Sequence, residues 1–120
     1  MSNSTSLPDT LQVDVEHRGK VAVIRLAGSA NMVVSDSLEA RLVEVVDAAA
    51  EQLILDLSDL QFISSVGLGA LVAAHLRCRH HKSVVKLVGP QPKIRELLEV
   101  TRLTKLFSIH DSVEAALAAD

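Results

Sequence analysis

The sequence predicts a single α/β domain: a central mixed β-sheet of about five strands with about four α-helices, in the order ββαβαβαβα. Three observations carry that expectation. The chain has 120 residues, enough for one hydrophobic core and not two. Its apolar residues switch between a period of two and a helical period several times along the chain. After an opening pair of strands, strand-like and helix-like stretches alternate, which calls for crossover connections and parallel strand pairs. No internal repeat interrupts the pattern. The polar first ten residues, MSNSTSLPDT, are expected to be a flexible N-terminus, with the domain spanning 11–120.

Each element has its own signal. Residues 11–16 (LQVDVE) alternate apolar and polar, as a half-buried strand does. The HRGK turn at 17–20 joins them to a more apolar strand at 21–26 (VAVIRL), so the two form a hairpin. The stretch 28–31 (GSAN) is expected to break the second strand. From about Ser35, apolar residues Leu38, Leu42, Val45, Val46 and Ala49 line one face of a helix. Residues 53–56 (LILD) lack alternation, which fits a central strand covered on both faces. A loop is expected over 57–66, carrying Asp59 and three serines. A helix follows over about 67–79, with Leu68, Leu71, Val72, His75 and Leu76 on one side and Ala70, Ala73 and Ala74 on the other. The strand at 84–88 (VVKLV) ends at Gly89-Pro90. A helix over 93–101 turns Ile94, Leu97 and Leu98 inward, and 106–109 (LFSI) forms a short edge strand. Asp111 and Glu114 have the spacing of a capping box that opens a last helix running through Leu117.

Composition narrows the function. Hydrophobic residues make up 48% of the chain and aromatic residues only 2%, with two Phe and neither Trp nor Tyr. The core is therefore aliphatic, and the ring platforms used to bind single-stranded nucleic acid are missing. A net charge of −3 supplies no basic field for a phosphate backbone, so no direct nucleic-acid partner is expected. No run approaches the length of a membrane span, and the first ten residues lack the apolar stretch of a secretory signal. With a single cysteine, Cys78, no internal disulfide can form. These features lead us to expect a cytoplasmic protein that does not insert into membranes.

The most informative segment is 53–69, LILDLSDLQFISSVGLG. A buried strand runs into a polar stretch, two serines follow, and Gly67-Leu68-Gly69 opens a helix. Ser65 falls at or beside the helix N-terminus. There, unpaired backbone N–H groups and the positive end of the helix dipole favour an anion. Spacing alone is equally met by a serine that merely caps the helix.

This segment, with the Gly-led break at Gly28-Ser29-Ala30-Asn31, the Leu-Val-Gly-Pro strand end and the terminal Ser-Val-Glu-Ala-Ala-Leu helix, resembles the STAS domain of anti-sigma factor antagonists, from Leu11 to the C-terminus. The resemblance implies a partner-switching protein. Unphosphorylated, such a protein binds an anti-sigma factor that is also an ATP-dependent serine kinase, and so releases a sigma factor. Phosphorylation of the motif serine breaks that complex. Matched onto this sequence, the phosphoacceptor is Ser65, with Ser64 as the alternative, and the partner-binding residues are Asn31, Ser64, Ser65, Val66, Gly67 and Leu68. The family usually carries an acid where Ser64 and Asn31 stand here, so negative charge is lost beside Ser65. The resemblance leaves room for a homodimer. A second reading keeps the fold but makes the chain a non-catalytic accessory or scaffold module of a stress-sensing assembly or transporter complex.

Other chemistry finds less support. Gly67-Leu68-Gly69 lacks the third glycine of a dinucleotide motif, which would stand at Val72, and no Walker-type Gly-Lys-Ser/Thr follows it. Its glycines suit a tight turn and close packing. His75 and Cys78 are spaced as two metal ligands on one helical face, but no second pair exists, and Arg77, Arg79 and Lys82 make the region positive. Asp56 and Asp59 have no histidine neighbour in sequence to form a catalytic set. We expect no enzyme activity, no cofactor and no metal.

Overall fold

The computed structural model describes residues 2–6, 11–48 and 51–119. In chain order its elements are β1 (Ser2–Ser6), β2 (Leu11–Arg18), β3 (Val21–Ala30), α1 (Ser35–Asp47), β4 (Gln52–Ile63), α2 (Ser65–His80), β5 (Val84–Val88), α3 (Pro92–Val100), β6 (Ser108–His110) and α4 (Val113–Ala118). From Leu11 onward this is the expected ββαβαβαβα order. Ser2–Ser6 adds an edge strand that the sequence pattern did not signal, and residues 7–10 lie outside the described residues. The strands lie side by side in sequence order, β1-β2-β3-β4-β5-β6. Pairing is antiparallel from β1 to β3 and parallel from β3 to β6, so the sheet is mixed.

Period-two alternation decides which side chains meet which helices. Leu11, Val13 and Val15 of β2, Ala22, Ile24 and Leu26 of β3, and Leu53, Leu55 and Leu57 of β4 face one way. They pack with Leu38, Leu42, Val45 and Val46 of α1, Leu71 and Ala74 of α2, and Ile94 and Leu98 of α3. Val23, Ile54 and Val88 face the other way and meet Val113 and Ala116 of α4, with Val21 and Leu117 packed against them. Burying both faces at β4 explains why its sequence does not alternate. Ala49, expected on the inner face of α1, lies outside the described residues.

Several details differ from the sequence expectation. The break at residues 28–31 and the loop at 57–66 are mostly strand: β3 reaches Ala30 and β4 reaches Ile63. Pairing survives because the β3–β4 ladder shifts register between Arg25 and Ala27 and again between Gly28 and Ser29. Gly28 sits at φ +102°, a conformation in which a side chain would be strained, and buried Leu60 and Ile63 anchor the extension. The inner face of α2 is also rotated. It is Gly67, Leu68, Ala70, Leu71, Ala74 and Cys78, while Leu76 is exposed. Small residues at 67, 70 and 74 let the α2 backbone approach its neighbours, and that closeness outweighs the larger side chains in setting the helix's rotation. The edge strand is Ser108–His110, starting two residues and ending one residue later than the expected 106–109, and Phe107 goes into the core. Ser112, not Asp111, caps α4: its hydroxyl accepts from the Ala115 amide at 3.0 Å. No helix among the described residues is long and apolar enough to cross a membrane.

Candidate functional site

The register shifts that lengthen β3 and β4 carry both strands to a shared end, where α1 and α2 begin. The Ser64 amide donates to the Ala30 carbonyl at 2.9 Å, which ties the end of β4 to the end of β3. Ser64 then caps α2: its hydroxyl accepts from the Gly67 amide at 3.0 Å, and its carbonyl accepts from Leu68 at 2.9 Å. The Ser35 hydroxyl donates to the Asn31 carbonyl at 2.6 Å and lies 3.4 Å from the Ser64 hydroxyl. Asn31 Oδ1 accepts from the Val33 and Val34 amides at 2.9 and 3.2 Å, forming an Asx turn at the start of the α1 approach. These bonds hold the residue 31–34 loop against the first turn of α2.

The two serines therefore occupy different environments. Ser64 is buried and engaged in the cap, whereas Ser65 is the first helical residue and is exposed. The N-cap role that spacing allowed for Ser65 belongs to its neighbour. No acidic residue stands in the first turn of α2, so a negative group on Ser65 meets no like charge from its own turn.

Of the other residues singled out in the sequence, Asn31 is half-buried and Val66 is exposed beside Ser65. Leu68 and Gly67 are buried and shape the site from beneath. At Gly67 a Cβ would come 2.7 Å from Ile63 Cγ1 and 3.0 Å from the Ala30 carbonyl oxygen, so only glycine fits between α2 and the strand ends. Sequence reasoning missed Met32 and Val33, each 68% exposed, and Phe62, 51% exposed, which leave apolar surface on the loop and strand end that meet the start of α2, where exposed Val66 follows Ser65. The available signal was three apolar residues, Met32, Val33 and Val34, between Asn31 and the Ser35 helix start, a place where a loop ordinarily carries polar side chains.

The residues of the imagined metal and acid pairs go elsewhere. Cys78 is buried in the core, and burial pushes its thiol up to about 11. His75 packs edge-on against Phe107 at 5.4 Å, and partial burial, with Arg79 nearby, lowers its pKa. His81 and Arg77 both engage Asp47 across the α1–α2 interface. Asp56 Oδ1 accepts from the amide and the hydroxyl of Ser58 at 3.0 and 2.7 Å.

The chain belongs to the STAS domain family, whose model matches residues 12–116. Its relatives carry a narrower description. An anti-sigma F factor antagonist of Paenibacillus polymyxa is 28% identical over 108 residues, covering 89% of this chain and 92% of the relative. The crystal structure of an anti-sigma factor antagonist from Mycobacterium paratuberculosis superposes with a TM-score of 0.82 at 30% identity, covering 94% and 96% of the two chains. The Bacillus cell fate determinant SpoIIAA shares the fold at 20% identity. Its unphosphorylated form superposes with a TM-score of 0.78, covering 88% of this chain and 92% of that one, and its phosphorylated form with 0.71, covering 88% and 96%.

Proposed function

We propose that this chain is an anti-sigma factor antagonist that works as a phosphorylation-controlled partner switch. Unphosphorylated, it binds an anti-sigma factor that is also a serine kinase, and a sigma factor is released. Phosphorylated on Ser65, it lets that partner go. The observation that carries the reading is the division of labour between the serines: Ser64 caps α2 and is buried, while Ser65 is exposed at the first helical position, at the end of the sheet whose segments carry exposed Met32, Val33, Phe62 and Val66. An apolar surface of this kind fits a protein partner. A phosphate at its centre adds about −1.5 to −2 charge, which a close-packed interface would leave desolvated and unpaired. The SpoIIAA fold neighbour, which takes a phosphorylated form, supports the same reading.

Asn31 and Ser64 are compatible with this switch. Each supplies the oxygen acceptor that an acid would supply at its turn or cap, and only the charge is missing. Partners that act on sigma factors place the site of action in the cytoplasm. The test is phosphorylation by the kinase that co-purifies with the protein. With ATP, mass spectrometry is expected to find one phosphate on the wild type and on Ser64→Ala, and none on Ser65→Ala. Equal phosphorylation of Ser65→Ala would sink the assignment. A pull-down that recovers other STAS proteins or transporter subunits, and no kinase, would favour the scaffold alternative.

A further inference from the structure

The C-terminal half of α2 borders a second site. The short strand β6 pairs with Lys86, Leu87 and Val88, so among the described residues no strand pairs with the outer edge of β5 at Val84 and Val85. A cleft of about 460 Å³ opens there, between α2, β5 and the single helical turn that precedes β6. That volume is in the range of small-molecule sites. Val84, 49% exposed, and Leu106, 43% exposed, give it apolar surface. Arg79 and Lys105 stand at its border, Ser83 and Ser108 add hydroxyls, and no acidic residue lines it. Lys86 also borders the cleft, but its ammonium is turned away and donates to the Ala116 and Ala119 carbonyls at 2.8 and 2.7 Å. Partial burial and the neighbouring Arg79 lower the His75 pKa, so the positive charge at neutral pH comes from Arg79 and Lys105.

We propose that this cleft binds a small amphipathic anion, with a single phosphate or carboxylate head between Arg79 and Lys105 and an apolar body on Val84 and Leu106. Two cations with no acid across from them leave positive potential that an anion relieves. Exposed aliphatic side chains in the cleft give up water when an apolar body covers them. The site is independent of the switch proposed above. Arg79 lies fourteen residues beyond Ser65 on α2, about 21 Å at 1.5 Å per residue. An occupant of the cleft therefore leaves the Ser65 surface open.

The test is an NMR titration of the full chain with octyl phosphate and octanoate, alongside octanol, octylammonium and inorganic phosphate. Octyl phosphate and octanoate are expected to give saturable shifts confined to the amides of Arg79, Val84 and Leu106 and their neighbours. Octanol and inorganic phosphate are each expected to bind at least tenfold more weakly, and octylammonium not at all. The double variant Arg79→Ala/Lys105→Ala, altered only at exposed positions, is expected to keep its amide spectrum elsewhere and lose octyl phosphate affinity tenfold or more. Equal affinity for octanol, equal affinity for inorganic phosphate, shifts scattered over the surface, or undiminished binding by the double variant would each overturn the proposal.

Discussion

The Ser64 hydroxyl accepts from the Gly67 amide at 3.0 Å, and Ser65, one residue on, is exposed. Spacing located this serine pair at a helix start, but two adjacent serines are equally good caps on paper. Only the backbone distinguishes them, because the cap residue must be extended, and Ser64 is, at φ −80° and ψ 169°. Ser64→Ala is therefore expected to lower stability by about 1 kcal/mol in urea unfolding. Ser64→Asp, which restores both the cap acceptor and the acid usual in the family, is expected to match the wild type. A loss from Ser64→Asp as large as that from Ser64→Ala would show that the hydroxyl serves something other than the cap. Glu16 was not legible as a special residue at all, since its partners come from the hairpin register. It accepts from Arg18 at 2.6 Å and from Arg25 on β3 at 2.9 Å, and these hydrogen bonds, Arg18 first, hold its pKa down to about 2 from the ordinary 4.5. A depressed carboxyl contributes stability that is present above its unfolded value and is lost as pH falls through its folded value. The wild type is thus expected to lose stability more steeply than Glu16→Gln between about pH 4.5 and about 2, as urea midpoints across that range would show. The carboxylate is partly solvated, so the difference is small and shrinks further in high salt.

Elements were legible where one face is buried and one is wet. The β2–β3 hairpin, α1 and α3 all follow their apolar periods. Legibility failed where backbone irregularity or small residues set the geometry. The second half of β4, DLQFI at 59–63, has lost strict alternation because the ladder to β3 shifts register there, so the stretch reads as a loop. The inner face of α2 depends on Gly67, Ala70 and Ala74, which a search for large apolar residues passes over. α4 is the element held in the least obvious way. It meets the sheet through a small apolar cluster and through Lys86, only 4% exposed, whose ammonium donates to the Ala116 and Ala119 carbonyls at 2.8 and 2.7 Å. Near a helix C-terminus a cation satisfies carbonyls that have no partner within the helix. Lys86→Met keeps most of the buried stem and removes these bonds. It is expected to cost about 1.5–3 kcal/mol and to raise hydrogen exchange in α4 ahead of the rest of the molecule. Exchange that rises equally in α1 and α2 would mean that Lys86 supports the whole sheet rather than docking one helix.

For the whole molecule, the arrangement separates folding from recognition. Large apolar side chains from three helices close one face of the sheet, and that core does not include Ser65. The residues around Ser65 that are apolar and exposed, Met32, Val33, Phe62 and Val66, lie outside it. This division was visible in the sequence only on the folding side: the pattern of buried positions predicts the core, whereas a partner surface made of a few exposed residues from a loop, a strand end and a helix start has no period to detect. It also allows charge at Ser65 to act on binding alone. In Ser65→Glu, the new carboxylate stands at a helix N-terminus, where it is neutral or stabilising by up to about 1 kcal/mol. In a complex, the same charge is trapped without a partner, a penalty of about 3–5 kcal/mol, or roughly 100-fold or more in affinity. Ser65→Glu is thus expected to unfold at or slightly above the wild-type temperature and to bind the anti-sigma factor kinase at least about 100-fold more weakly in calorimetry. If the variant bound normally, the apolar surface around Ser65 would not be the contact; if it unfolded early, its loss of binding would reflect damage to the fold. A variant that keeps its melting temperature and loses its partner leaves electrostatic exclusion at the helix N-terminus as the operating step.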